Sequence, residues 1–503
     1  MSKKVVIIGS GMGGLSAAIR LQLKGFHVDI YEKNAIPGGK MSQKSFAGYT
    51  FDVGPTIVMM PELYKAPFLL AGKKPDDYFQ LDRLEPMYDA YFKGETYRHY
   101  TISSDLVKLM SMNECLDEES ALGFLKYLAD MYQRYQVAVR SFITRPFRYK
   151  RDFYNLKMIG EALKLKTFNS AEDMMGSYIP NKDLQQMMSF QTLYIGISPK
   201  KGPSLYNIIP MIELLYGVWF VKGGMHQYAK ALERLFVELG GQIHYNKTVN
   251  NIVIADHRVK GIQLDEEFIG ADIVISNADF PYTMTELIED DQNKGKYTNS
   301  KIESMDYSCS CLVFYWGVKG TFEDLKTHNF VICEDLSTNL DQIFDGRLVE
   351  DPSLYLHIPS HSDKSLAPDG HSTFYVLIPV SELGISNYQW TEDIIGYYRQ
   401  SAINTLKKLP GLENLSQLIE AEEIFTPNDF KDAFHAYRGA TFGLQPTLIQ
   451  SNHMRPQSKS LEVEGLYYTG SSTHPGAGVP IALEGGKICS DEVLRDFGES
   501  NDD

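Results

Sequence analysis

Glycine is concentrated at two places in this 503-residue chain where a phosphate group would need bare backbone close by. The first is Gly9-Ser10-Gly11-Met12-Gly13-Gly14, which follows the apolar run Val5 to Ile8 and precedes a helical pattern from Leu15 to Leu23. In such a turn Gly9 permits the tight bend, Gly11 lets the main chain approach a pyrophosphate, and Gly14 lets helix and strand pack closely. The helix N-terminus then opposes the phosphate charge. A second strand-like run, His27 to Tyr31, ends at Glu32, followed by Lys33. A carboxylate there accepts hydrogen bonds from a ribose hydroxyl and disfavours a 2′-phosphate. The second glycine cluster starts at Gly470, after the buried-strand run Leu466 to Thr469, and runs to Gly478-Val479-Pro480. It reads as strand, turn and helix N-terminus, with the helix from about Ile481, again a cradle for an anion. Two cradles at opposite ends of the chain suit the extended FAD molecule better than NAD.

Ile36-Pro37-Gly38-Gly39-Lys40 and Phe51-Asp52-Val53-Gly54-Pro55-Thr56 follow the first cradle. They resemble a flavoprotein pattern shared by amine oxidases and carotenoid desaturases, in which Arg is common after the paired glycines. Lys40 keeps the positive charge but lacks the bidentate fork, and an ordinary surface lysine is the other reading. His474, in the turn Thr473-His474-Pro475, is a weak catalytic candidate. It could orient a flavin or accept a proton, or could merely hydrogen-bond the backbone of the turn. No paired carboxylates, Ser-His-Asp order or metal-ligand spacing is recognisable, so no base is assigned and no metal is expected. Cys309-Ser310-Cys311 lies at the head of an apolar run and reads as core.

These residues need a Rossmann-like scaffold, and its pieces are scattered. The runs around Ile243, Val249 to Ile254, Val259 to Leu264 and Asp272 to Ala278, with a helix from His226 to Leu239, extend the βαβ pattern. The expected fold class is α/β, a Rossmann-like FAD-binding domain with an inserted α+β substrate-binding domain. The FAD-binding domain is assigned to 1–85, 216–290 and 431–503. The substrate domain is assigned to 86–215 and 291–430, helical and strand-like respectively.

A formal net charge of -15 argues against a nucleic-acid partner. The five scattered cysteines show no C-x-x-C and fit a reducing compartment without a disulfide framework. No signal peptide is expected, because Val5 to Gly9 leads directly into the glycine turn. The run Ser204 to Val221 carries Asn207, Pro210 and Glu213, too polar for a spanning helix. The acidic tail Glu499 to Asp503 reads as a solvated end. Residues 139–168 hold eight Lys or Arg against two acids, interleaved with Phe142, Phe147, Phe153, Tyr154 and Leu156. Such a segment could dock on an anionic membrane face, or be a solvated surface with some core aromatics.

Thr426-Pro427-Asn428-Asp429-Phe430, Gly439 to Leu444 and the stretch Thr473-His474-Pro475-Gly476-Ala477-Gly478-Val479-Pro480 resemble bacterial phytoene-desaturase-type carotenoid oxidoreductases. Gly54 to Pro61 and Phe190 to Ile197 resemble the dehydrosqualene (4,4′-diapophytoene) desaturase branch of that family. The resemblance runs along essentially the whole chain. It implies an FAD-dependent oxidoreductase that introduces successive conjugated double bonds into a lipophilic C30 polyene, giving 4,4′-diaponeurosporene-type products. It also implies backbone contacts to adenine near Val249 and reoxidation by oxygen or a quinone. The expected place is the cytoplasm, peripherally on the inner face of the cell membrane. Alternatives are a C40 phytoene desaturase or polyene isomerase on the same scaffold, and a flavin-binding protein without turnover.

Overall fold

Residues 5–8 are β-branched and apolar throughout, which suits a strand covered on both faces. A computed structural model, which describes residues 3–165 and 167–498, places the strand Lys4–Ile8 at the centre of a five-stranded parallel sheet. The order is Leu466–Tyr468, Ile273–Ser276, Lys4–Ile8, His27–Tyr31, Gln242–His244. The register sets Ile8 opposite both Tyr31 and Ser276. The carboxyl ends of the strands therefore deliver Gly9, Glu32, Asn277 and Gly470 to one sheet edge, where open α/β sheets bind ligands. The tail Glu499 to Asp503 lies outside the described residues.

The first helix is Met12–Leu23, starting earlier than the expected Leu15 and ending before Gly25, whose φ of 83° is a left-handed stop. It can begin inside the glycine turn because the last helix, Val479–Phe497, packs directly on it. Ser16 Oγ donates to the Leu483 carbonyl at 2.6 Å, and a Cβ on Gly486 would stand 2.4 Å from the Gly13 carbonyl oxygen. The expected helix at His226 is present as His226–Glu238.

A second, seven-stranded mixed sheet has the order Ile419–Phe425, Ser310–Lys319, His371–Val380, Leu354–His357, His328–Ile332, Tyr88–Phe92, Arg98–Ile102. The segment 86–215 was expected to be helical, and its first part is not. Tyr88–Phe92 lies parallel to His328–Ile332, with Phe330 opposite Ala90. All five residues of this YDAYF strand are buried, and a pairing across more than two hundred residues leaves no local periodicity to read. Helices begin at Leu106, and Glu118–Ala138 is 21 residues long.

Register matters most in the middle of this sheet. Phe330 faces Tyr355, His328 faces His357, Tyr355 faces Leu377, and Cys311 faces Pro379. Period-two alternation puts these residues on one face of the sheet. A slip of one residue would turn all of them to the other side. Cys309 and Cys311 are buried there, as the sequence suggests.

The run Ser204 to Val221 divides into a short turn Ser204–Asn207, a helix Ile208–Tyr216 and a strand Val218–Val221, the last two separated by Gly217 at φ 78°. Among the described residues no helix is long and apolar enough to cross a membrane.

Residues 139–168 are only partly a surface. Phe142 and Phe147 are buried, and Arg148 is not available to solvent. Its guanidinium pairs with Glu492 and, at 2.8 Å, with Asp496 of the last helix. Arg148, one of the eight cations of this segment, therefore does not belong to a docking or solvated face: the sequence shows a charge run but not the acids on a helix more than three hundred residues away. Arg145, Tyr149, Arg151, Tyr154, Leu156, Ile159 and Leu163 are exposed.

Candidate functional site

The carboxyl edge of the parallel sheet opens into a cavity of about 570 Å³ that continues between the second sheet and the helices over it. The glycine-rich end comes from the first turn: Ile8, Gly9, Gly11, Met12 and Gly13 line it. Ser10 and Gly14 do not reach the cavity wall. Ser10 instead donates from both its N–H and its Oγ to Glu32 Oε2, each at 2.8 Å. With Asn34 N–H on Oε1 at 2.9 Å, this fixes the buried carboxylate at the cavity edge. Gly14 serves packing, since its Cβ would stand 2.5 Å from the Gly9 carbonyl oxygen.

Asn277 escaped the sequence reading. Its Oδ1 accepts from the Gly14 N–H at 2.8 Å, and its side chain lies 2.6 Å from where a Cβ on Gly11 would be. A polar residue directly after the buried strand Ile273–Ser276 was the available signal. A Cβ on Gly13 would meet Thr469 Oγ1 at 2.6 Å, a buried hydroxyl with no protein partner. Gly470, Gly478, Val479 and Pro480 bring the second cradle to the same cavity. Two helix N-termini and a run of side-chain-free backbone thus face one space.

Lys33, Gly39, Lys40, Gly54, Pro55, Thr56 and Val249 also line it. Lys33 Nζ donates to the Asp432 carbonyl at 2.7 Å and Lys40 Nζ to the Thr441 carbonyl at 2.8 Å. Burial holds both ammonium groups below the usual lysine range, against opposing charges that include Glu32 and Asp279 respectively. Gly54 has no space for a side chain, because its Cβ would stand 2.3 Å from the Lys40 carbonyl oxygen. Asp52 anchors this loop by accepting from the Met225 N–H at 2.7 Å and the His226 N–H at 3.2 Å. Burial nevertheless pushes its carboxyl up to about 7. The donor set, bare glycines and orphaned hydroxyl fit an extended dinucleotide such as FAD.

His474 is placed away from this chemistry. It is buried, it does not line the cavity, and its Nε2 donates to the Arg145 carbonyl at 2.9 Å. Burial lowers its pKa to about 4. The backbone it bonds is not that of its own turn but that of Arg145, 329 positions away, and its ring has no place in the cavity wall from which to orient a flavin or accept a proton. A histidine in a glycine-rich turn looks cofactor-directed in one dimension, but the turn aims its ring into the core against Phe147.

Beyond the glycines the walls become apolar. One is the sheet face carrying Phe330, Tyr355, Tyr375, Leu377 and Pro379; the other brings Phe190, Tyr194 and Ile212. Phe330 and Tyr355 stack with centroids 4.9 Å apart, and Tyr375 follows at 6.1 Å. At the far side, buried Glu213 accepts from Tyr88 at 3.2 Å and from the Gln191 amide. Burial raises its carboxyl to about 8. Ala138, Phe142 and Ile143 also line the cavity, as do Ser451 and Asn452. The segment 139–168 and the loop 448–454 therefore border the same space, and Phe153 stacks on His453 at 3.8 Å. Among the described residues no cluster of His, Cys, Asp or Glu is arranged to hold a metal ion.

Comparison with known proteins agrees with this geometry. The model of the family described as flavin containing amine oxidoreductase matches residues 12–494. The 4,4′-diapophytoene desaturases (4,4′-diaponeurosporene-forming) of Staphylococcus aureus strains RF122 and Newman are each 42% identical over 499 residues. Those alignments cover 98% of this chain and 99% of the relatives. Among solved structures, an oxidoreductase from Methanosarcina mazei has a TM-score of 0.64 at 15% identity, covering 97% of this chain and 100% of that one. Putrescine oxidase bound to putrescine has a TM-score of 0.61 at 12% identity, covering 98% and 99%. At such identities the two structures speak for the fold alone.

Proposed function

The chain belongs to the family of flavin-containing amine oxidoreductases, and on that premise we propose that it is an FAD-dependent desaturase of 4,4′-diapophytoene. The product is a 4,4′-diaponeurosporene-type C30 polyene. The observation that carries this reading is one continuous cavity lined both by the two glycine cradles and by apolar and aromatic side chains of the second sheet and the helices over it. A dinucleotide and a hydrocarbon chain need such a pairing.

When bound, FAD supplies two-electron oxidation of adjacent C–H bonds, chemistry that no side chain performs. This chain's residues bind, orient and keep water out. Gly9, Gly11, Met12, Gly13 and the start of the last helix would hold the pyrophosphate, Glu32 the ribose hydroxyls, and Val249 the adenine end. Lys40 and the Gly54-Pro55-Thr56 loop lie where the glycine-lined space meets the aromatic arm. Phe330, Tyr355 and Tyr194 give a polyene an aromatic wall, and burial in a dry arm excludes side reactions with water.

The substrate is lipid-soluble, so it must arrive from a bilayer. The exposed set Leu156, Ile159 and Leu163 on the helix Leu156–Leu165, with Phe168, Tyr154 and Ile449, stands beside the cavity-lining residues Ala138, Phe142, Ile143, Ser451 and Asn452. Arg145, Arg151, Lys157 and Lys164 flank it, and this face docks the enzyme peripherally on an anionic leaflet. Oxygen or a membrane quinone would serve as the electron acceptor.

The test is anaerobic incubation of purified holoprotein with dehydrosqualene in anionic liposomes. Bleaching of the flavin with appearance of a yellow C30 product is expected. A flavin that bleaches with C40 phytoene and stays oxidised with the C30 substrate refutes the assignment. Leu156→Asp combined with Leu163→Asp should abolish co-flotation with the liposomes, and unchanged flotation refutes the docking face.

A further inference from the structure

The apolar arm contains one line of polar atoms that binding of a hydrocarbon does not explain. Thr56 and Tyr355 both line the cavity, and Thr56 Oγ1 lies 2.8 Å from Tyr355 Oη. Tyr355 Oη is in turn 2.6 Å from His328 Nδ1. His328 is stacked on His357 at 4.7 Å with the planes 11° apart. His357 Nδ1 faces the Thr327 carbonyl at 3.0 Å and so carries the hydrogen, which leaves its Nε2 a bare lone pair. Both Nε2 atoms are buried without a partner. Two stacked imidazoles under an aromatic wall are costly for a fold to keep, because unpaired buried polar groups are destabilising. Their place follows from the register that sets His328 opposite His357 and Phe330 opposite Tyr355.

We propose that Tyr355 is the catalytic proton acceptor of the desaturation and that His328, through it, is the positioning residue that receives the proton. This rests on the desaturase reading above. Removing two hydrogens from adjacent allylic carbons breaks two C–H bonds. One hydrogen leaves with its electron pair, to FAD; the other leaves as a proton, and its bond pair becomes the new π bond. In this relay His328 Nδ1 is the acceptor, so Tyr355 gives its single proton there, the Thr56 hydroxyl donates to Oη, and one lone pair of Oη is left for the substrate proton. A proton taken by that lone pair is balanced by passage of the phenolic hydrogen to His328 Nδ1. The phenol is restored in the same exchange, and the imidazolium discharges when product leaves and water enters. Burial, with the neighbouring His357 second, shifts His328 toward its neutral form in the resting fold, which leaves a ring nitrogen able to receive the proton. The hydroxyl is thus the reacting group, while the ring of Tyr355 is ordinary cavity wall.

That division sets the experiment. Tyr355→Phe keeps the wall and removes the acceptor; His328→Asn removes the receiving ring, which is not itself in the cavity wall. Wild type and both variants, each with its FAD content measured, are mixed anaerobically with dehydrosqualene in liposomes and the single-turnover bleaching followed. Both variants should bleach about 10²-fold more slowly or worse, at unchanged half-saturating substrate. In the free protein, ¹⁵N NMR should show the His328 Nδ1 resonance shifting in Tyr355→Phe. A Tyr355→Phe enzyme that bleaches as fast as wild type overturns the relay, as does an unmoved His328 resonance. Should Tyr355→Phe lose its flavin, His328→Asn decides, and wild-type bleaching by it overturns the proposal. If wild type itself leaves the C30 polyene untouched, the desaturase reading falls and the relay with it.

Discussion

Replacing Glu213 by Gln isolates one buried ionisation. The carboxyl is fully buried on the helix Ile208–Tyr216, with Oε2 accepting from Tyr88 and Gln191 while its Oε1 and Gln191 Oε1 have no partner. Burial raises its pKa from 4.5 to about 8, outweighing the two hydrogen bonds that pull it down. A proton on Glu213 supplies the donor this cluster lacks. The folded chain therefore holds that proton more tightly than the unfolded one. Its stabilising effect is complete below the unfolded value and is lost as pH rises toward about 8. At about 1.4 kcal/mol per unit, wild type loses on the order of 3 kcal/mol between the unfolded value and neutrality. Glu213→Gln keeps the acceptor, adds the donor and has no charge to bury, so its stability should fall less steeply than wild type over that range, the fall due to the other raised carboxyl, Asp52, being common to both. Thermal unfolding of the holoprotein from about pH 5.5 to 8.5 measures this, with wild type falling a few degrees relative to the variant. Parallel curves, or a variant less stable at every pH, would refute the reasoning.

Gly11→Val places a Cβ 2.6 Å from Asn277 Nδ2, dislodging the side chain that holds the Gly14 N–H, and the protein should purify without stoichiometric flavin absorbance. Arg148→Ala leaves Glu492 buried without its guanidinium, and should cost about 3–5 kcal/mol of stability by denaturant titration while liposome flotation is kept. His474→Asn removes an imidazole whose pKa lies near 4, so the pH profile of flavin bleaching should not move between about pH 6 and 8. A profile that shifts would return His474 to the chemistry.

Much of the cofactor end was legible in one dimension because its parts are contiguous. The strand Lys4–Ile8, the glycine turn, the first helix and Glu32 lie within the first 32 residues, and each has a local signature in apolar run, glycine spacing or terminal acid. The second cradle after Leu466 is equally compact. Whole-chain resemblance carried the substrate class. Tertiary structure alone decided how distant side chains meet. Asn277 reaches Gly14 across 263 positions, Arg148 reaches Glu492 across 344, and Tyr355 is brought to Thr56 across 299. The strand Tyr88–Phe92 was misread for the same reason, since its partner His328–Ile332 is far along the chain. Local sequence records what a residue does to its own backbone. Which buried polar atoms face one another is settled by register and burial, so it becomes visible only once the sheets are assembled.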